Sequence, residues 1–245
     1  MHIQSQTVGE IAAGSEAAIR ILEGYGIDYC CAGNRSFEEA CREKGLSSAS
    51  VANEITFAAT SAPAQSRNWN AAPLRELIHH IVSAHHEFLK LELPRIGQRV
   101  RKVAEVHGEK DPALHQLQMV YEEMWQELDL HMHKEEMMLF PAIERYEAAA
   151  ESGRPLPPAP FGSIANPVGV MEAEHDSAGL ALRRMRELTG GYLAPPYACS
   201  TYNAMLDGLR ALESDLHTHI HLENNVLFPR ATSLEKRCPG IRSRK

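Results

Sequence analysis

The chain has 245 residues, room for one large domain or for a large and a small one, and its 44% hydrophobic and 23% charged residues are ordinary for a water-soluble globular protein. A net charge of −7, with basic residues gathered only in a short tail (Lys236, Arg237, Arg242, Arg244, Lys245), argues against a nucleic-acid-binding face. No apolar run approaches a transmembrane length and the first thirty residues do not read as a signal peptide, so a cytoplasmic protein without membrane attachment is expected.

Residues 1–62 read as a small helical domain. Thr7 and Glu10 form a capping box for a first short helix. Ser15 caps a second that runs to Tyr25, with Gly26 where a helix-ending glycine belongs. A turn-like segment, Asp28-Tyr-Cys30-Cys31-Ala-Gly-Asn34, follows. Ser36 restarts a helix, with Glu39 three residues on, Gly45 closes it, and a last helix spans about Ser48–Thr60. Residues 63–72 read as a linker, marked by Pro63, small residues and no apolar periodicity. Four long helices are expected from Pro73 onward, at about 73–106, 112–150, 166–190 and 199–230, with a proline-rich connector (Arg154 to Pro160) between the second and third. Without strand signals the fold class is all-α, an up-down four-helix bundle over 73–235, followed by a basic tail at 236–245. Five cysteines, Cys30, Cys31, Cys41, Cys199 and Cys238, are odd in number and irregular in spacing, which speaks against a secreted disulfide framework.

The second and fourth long helices share one motif. His131-x-x-x-Glu135 is followed by Leu139-Phe-Pro141, and His219-x-x-x-Glu223 by Leu227-Phe-Pro229. A spacing of four puts imidazole and carboxylate on one helical face. That face is apolar: Met124, Leu128, His131, Glu135, Leu139 in one helix, and Leu212, Leu216, His219, Glu223, Leu227 in the other. The first helix adds His86 through Val82, His86, Leu89 and Leu93. The third adds His175 through Val168, Met171, His175 and Leu182. Charged groups on a core stripe need a partner or a metal. Imidazole with carboxylate suits iron, manganese or zinc, and six ligands with two carboxylates able to bridge suit a dinuclear centre better than one tetrahedral zinc.

Other polar residues have two readings each. His85, His133, His217 and His221 lie one or two positions from the stripe and are expected to point off it, as surface groups or as groups behind the ligands. His79, two turns below His86 on the same face, is either a surface group or one that lines an access path. Glu174, at the stripe's edge, is either a solvated helix glutamate, a carboxylate behind the ligands or a path for iron. Cys30 and Cys31 are either small hydrophobes or a redox-active pair that handles iron or nitrosyl species.

These stretches carry a resemblance. Asp28-Tyr-Cys-Cys31, Pro73-Leu-x-Glu76 leading to His86, and the first Leu-Phe-Pro motif occur in order with two more stretches, Val170-Met-Glu-x-Glu-His-Asp-x-Ala-Gly179 and His219-x-x-x-Glu-Asn-Asn-Val-Leu-Phe-Pro-Arg230. Together they are similar to the hemerythrin-like bundle, and more closely to the di-iron family for Repair of Iron Centres. The resemblance implies two iron ions held by His86, His131, Glu135, His175, His219 and Glu223, with Glu135 and Glu223 bridging beside an oxo or hydroxo group. It implies repair of iron–sulfur clusters damaged by nitric oxide or oxidants, with iron–sulfur proteins as clients, nitric oxide or dioxygen as small ligands, and a monomer or homodimer. Nitric oxide reduction to nitrous oxide, or plain oxygen or nitric oxide binding, would use the same ligands. Gly179 stands where classical oxygen-carrying hemerythrins place a second histidine, and Glu223 replaces their aspartate five residues after the last-helix histidine. Both departures favour a more open, reactive centre over an oxygen carrier. Ala32 replaces the family's glycine after the cysteine pair.

Overall fold

A computed structural model describes residues 3–61 and 67–238. Residues 63–66 of the expected linker and 239–245 of the expected tail lie outside the described residues. The described residues form helices joined by turns and loops, with one isolated antiparallel bridge between Thr7 and Ser36 and no strand among them. The chain divides into two compact units, one of Met1–Ile78, Tyr146–Pro157 and His217–Lys245, the other of His79–Arg145 and Pro158–Leu216.

In the first unit, α1 (Val8–Gly14), α2 (Glu16–Gly24), α3 (Phe37–Glu43) and α4 (Ser48–Ser61) follow from local signals. The Thr7 capping box is formed, with both reciprocal bonds made, and Ser15 accepts the Ala17 N–H. Gly26 and Gly45 take φ of +64° and +68°, the left-handed conformation that glycine adopts without a Cβ penalty. Ser36 restarts a helix at α3, as expected, although it makes no side-chain cap bond. Its backbone is already engaged in the bridge to Thr7, and the Phe37 N–H that follows donates to the Gln6 carbonyl. Val8, Leu22, Phe37, Cys41, Val51 and Ile220 share this unit's apolar core.

The second unit is built on α6 (Glu87–His107), α7 (Ala113–Lys134), α9 (Ala165–Leu188) and the first part of α10 (Ser200–Leu222). All four feed one core, in which Leu93, Ile96, Leu117, Tyr121, Leu182, Met205 and Leu209 are almost fully buried. The expected ends hold. Gly108 caps α6, and Gly190 and Gly191 follow α9 with positive φ. Fully buried Leu side chains of this kind each contribute roughly 1.5–3 kcal/mol relative to exposure, so the core is ample to fix the helix faces.

Three of the long helical runs contain a π turn. Ile81–His86 separates α5 (Leu74–His80) from α6, Glu135–Leu139 separates α7 from α8 (Phe140–Glu151), and Glu223–Leu227 separates α10 from α11 (Phe228–Arg237). Each is closed by an i→i+5 bond: Glu87 N–H to Val82 O, Phe140 N–H to Glu135 O, and Phe228 N–H to Glu223 O. In the last two a proline stands two residues past the end of the π turn, at Pro141 and Pro229. Proline supplies no N–H and crowds the carbonyl four residues back, so it interrupts the α-helical ladder where the wider turn forms.

Candidate metal centre

The second unit gathers His86, His131, Glu135 and His175, each between 0% and 2% exposed. His86 ends the first π turn and Glu135 begins the second, so both sit where the helix is locally wide. The Glu135 carboxylate lies 3.4 Å from Nε2 of His86 and 3.3 Å from Nε2 of His131. Nε2 of His175 is 3.0 Å from Nε2 of His131. His131, Glu135 and His175 each offer a ligand atom, and these lie within 4.8 Å of one another.

Two of the imidazoles are oriented from behind. Nδ1 of His131 is 2.9 Å from Glu174, and Nδ1 of His86 is 2.8 Å from Glu136. Lys134 bonds Glu174, and Lys90 lies 2.9 Å from Glu136. Partial burial pushes both carboxyls up, but the bonds from the lysine and the histidine outweigh it and hold them below the ordinary carboxylate range. An ionised carboxylate at Nδ1 fixes the proton there and leaves Nε2 with its lone pair. The His86 ring is further held by stacking on Phe140, with centroids 5.7 Å apart.

This donor set fits a cation. Lone pairs of two imidazoles and a carboxylate converge in a space from which water is excluded, an arrangement that repels itself unless a positive charge sits between them. A carboxylate–histidine pair behind each ligand is the usual support for a bound metal.

The first unit carries the other repeat of the motif. His219, on α10, and Glu223, at the start of the third π turn, are 1% and 0% exposed, with Nε2 and Oε1 3.1 Å apart. The next two residues hold the cysteine loop. Asn224 donates to the Cys30 carbonyl at 3.2 Å, and Asn225 to the Tyr29 carbonyl at 3.0 Å. Asp28 Oδ1 accepts the N–H groups of Cys30, Cys31 and Ala32, which fixes the turn without a glycine at 32. The two sulfurs are 3.6 Å apart as free thiols, with Cys30 buried and Cys31 half-buried. The contact with Cys31, burial and the Asp28 charge all push the Cys30 thiol up, so it stays protonated.

The structure sorts the neighbouring histidines. His85 and His221 are buried, not turned to solvent. His85 Nδ1 bonds Asp215 at 2.9 Å, and His221 packs edge-on against Tyr29 while Nδ1 meets the Asn225 amide at 3.0 Å. His79 is exposed although His86, seven residues on, is fully buried. The π turn between them breaks the two-turn spacing that would put them on one face, and it brings His85 inward beside His86. Glu136, Asn224 and Asn225 were not singled out by the sequence. Glu136 has no signal but its position directly after Glu135, while Asn224 and Asn225 stand in the family-like stretch after Glu223 with no role attached to them.

Residues 77–231 match the Hemerythrin HHE cation binding domain, and residues 4–59 match a domain of unknown function, DUF542. The chain is 35% identical to an iron-sulfur cluster repair protein YtfE of Citrobacter koseri, over 96% of this chain and 100% of that one. It is 34% identical to the protein of that name in Pectobacterium atrosepticum, over 94% and 98%, and 35% identical to that of Escherichia coli K12 DH10B, over 96% and 100%. The chain belongs to the hemerythrin-like Repair of Iron Centres family. Membership in the Repair of Iron Centres family implies iron binding, and the buried His/Glu groups are the residues suited to it. No helix among the described residues is long and apolar enough to cross a membrane.

Proposed function

We propose that this is a cytoplasmic di-iron protein that repairs iron–sulfur clusters damaged by nitric oxide or oxidants, and that it does so by supplying iron. His86, His131, Glu135, His175, His219 and Glu223 hold the metal pair, and Glu135 and Glu223 bridge it. The hemerythrin match spans 77–231 and so contains all six. The observation that carries the reading is the convergence of His131 and His175 on Glu135, with His131 fixed from behind by Glu174. Bound iron would supply a labile, redox-capable cation. The chain's own residues present neutral imidazole nitrogens toward it and exclude water around it. The repair function rests on the relatives, whose printed name is iron-sulfur cluster repair protein. Clients are then iron–sulfur proteins, and nitric oxide or dioxygen are small ligands of the centre.

The test is iron content and iron transfer. Protein purified anaerobically without chelators should carry about two irons per chain, falling sharply in Glu135→Ala and His219→Ala. Mixed with an apo iron–sulfur acceptor and sulfide, the loaded protein should lose iron as cluster absorbance appears. Retention of iron with steady release of nitrous oxide from added nitric oxide would replace donation by reduction. An iron-free protein indistinguishable from the two variants would remove the metal centre altogether.

A further inference from the structure

Cys199 immediately precedes α10, the 23-residue helix that begins at Ser200. Of the five free cysteines it alone is exposed. Its sulfur lies 3.7 Å from Nε2 of His107 at the end of α6, and the backbone N–H groups of Tyr202 and Thr201 reach it from the first turn of α10. The His107 ring is held in place by Tyr202, edge-on at 5.6 Å, and by Tyr197 at 5.8 Å. Tyr197 in turn donates its hydroxyl to Asp111 at 3.4 Å. An imidazole partner, a helix N-terminus and open access are the three conditions that make a thiol reactive. The other two cysteines with any access, Cys31 and Cys238, are only half-exposed.

We propose that Cys199, activated by His107, is a thiol–disulfide exchange site that takes up a low-molecular-weight thiol from its disulfide. The Cys199 thiolate attacks one sulfur of the small disulfide. That S–S bond breaks, a new S–S bond forms to Cys199, and the departing sulfur leaves as a thiolate that takes a proton from solvent. The cysteine sulfur is oxidised and the released thiol is the reduced product, so no further oxidant is needed. The geometry has an electrostatic counterpart. The bond from His107 and the N–H groups of Tyr202 and Thr201 bring the Cys199 thiol down to about 7. His107 lies 21 residues beyond His86 on the same helical run, roughly 30 Å at 1.5 Å per residue, so the exchange reports on this pair and not on the ligand histidine.

The experiment exposes reduced, full-length protein to excess oxidised glutathione at pH 7 and maps adducts by peptide mass. Cys199 is expected to be modified at least about tenfold faster than Cys31 or Cys238. His107→Gln should slow Cys199 by about fivefold at pH 7, where the loss of thiolate is only partly offset by the higher nucleophilicity of the more basic sulfur, and should speed it by about fivefold near pH 9.5, where both sulfurs are thiolates. A second measurement needs no variant: the rate of iodoacetamide alkylation of Cys199 in the wild type should be half-maximal near pH 7. Modification led by Cys31 or Cys238, an unchanged rate in His107→Gln at pH 7, or an alkylation midpoint near the ordinary thiol value would each overturn the assignment.

Discussion

Nδ1 of His131 and Oε2 of Glu174 are 2.9 Å apart, and Lys134 bonds the other oxygen of the same carboxylate. The contact fixes which nitrogen of His131 carries the proton and therefore which one can bind metal. Removing it in Glu174→Ala should weaken iron binding by about 10–100-fold, with helix content unchanged. Competition with a graded series of chelators measures this. Glu136→Ala should behave alike through His86. Affinity equal to wild type in both would show that the imidazoles are oriented by packing alone.

Glu147 is a buried carboxylate whose two oxygens accept the backbone N–H groups of Leu74, at 2.6 Å, and Arg75, at 3.0 Å. Those donors open α5 and have no partner within their own helix. In Glu147→Ala both would be left in a poorly hydrated place, a cost of about 1–3 kcal/mol. The midpoint of urea unfolding should fall accordingly, with Glu147→Gln in between because it keeps one acceptor oxygen. A midpoint unmoved by Glu147→Ala would mean that water replaces the carboxylate at no cost.

Gly33 is required by close approach. A Cβ there would stand 2.3 Å from Asn225 Oδ1 and 2.8 Å from the Tyr29 carbonyl. Gly33→Ala must push the asparagine away from the loop it holds, and should destabilise the protein by about 1–3 kcal/mol. Asn225→Ala removes the same obstacle and the same bond. The double variant should therefore lose clearly less than the sum of the single losses, the signature of residues in contact. Strict additivity in the unfolding midpoints would contradict the steric account.

Much of the architecture was legible because long amphipathic helices advertise themselves. The stripes Met124 to Leu139 and Leu212 to Leu227 are buried at every position named, and capping residues such as Thr7 and Ser15 act as their local chemistry dictates. His131, Glu135, His219 and Glu223 stand out as polar residues on those stripes, as His86 and His175 do on the stripes of the other two helices, and all six are buried. The π turns were not legible. A pattern analysed at 3.6 residues per turn assumes an unbroken ladder, and the turn at Ile81–His86 has no proline to announce its break. That single assumption misplaced His79 and His85. Glu136, Asn224 and Asn225 escaped for another reason: they act through bonds to distant parts of the chain, and nothing in local periodicity encodes a partner 50, 194 or 196 positions away.

A π turn holds one residue more than the α-helical turn it replaces, so each is equivalent to a one-residue insertion absorbed without lengthening the rod. The converse bears on how this sequence can vary. Deleting a single residue from Glu136–Met138 would let an ordinary α-helix close across the gap, and Leu139, Phe140 and Ile143, now 0–2% exposed, would keep the face they present to the core. The same deletion in the unbroken α-helix before the π turn would rotate every side chain between the cut and that turn by about 100°. In this stretch a one-residue gap spares the frame of the helix beyond it, and what it removes is the local width at Glu135.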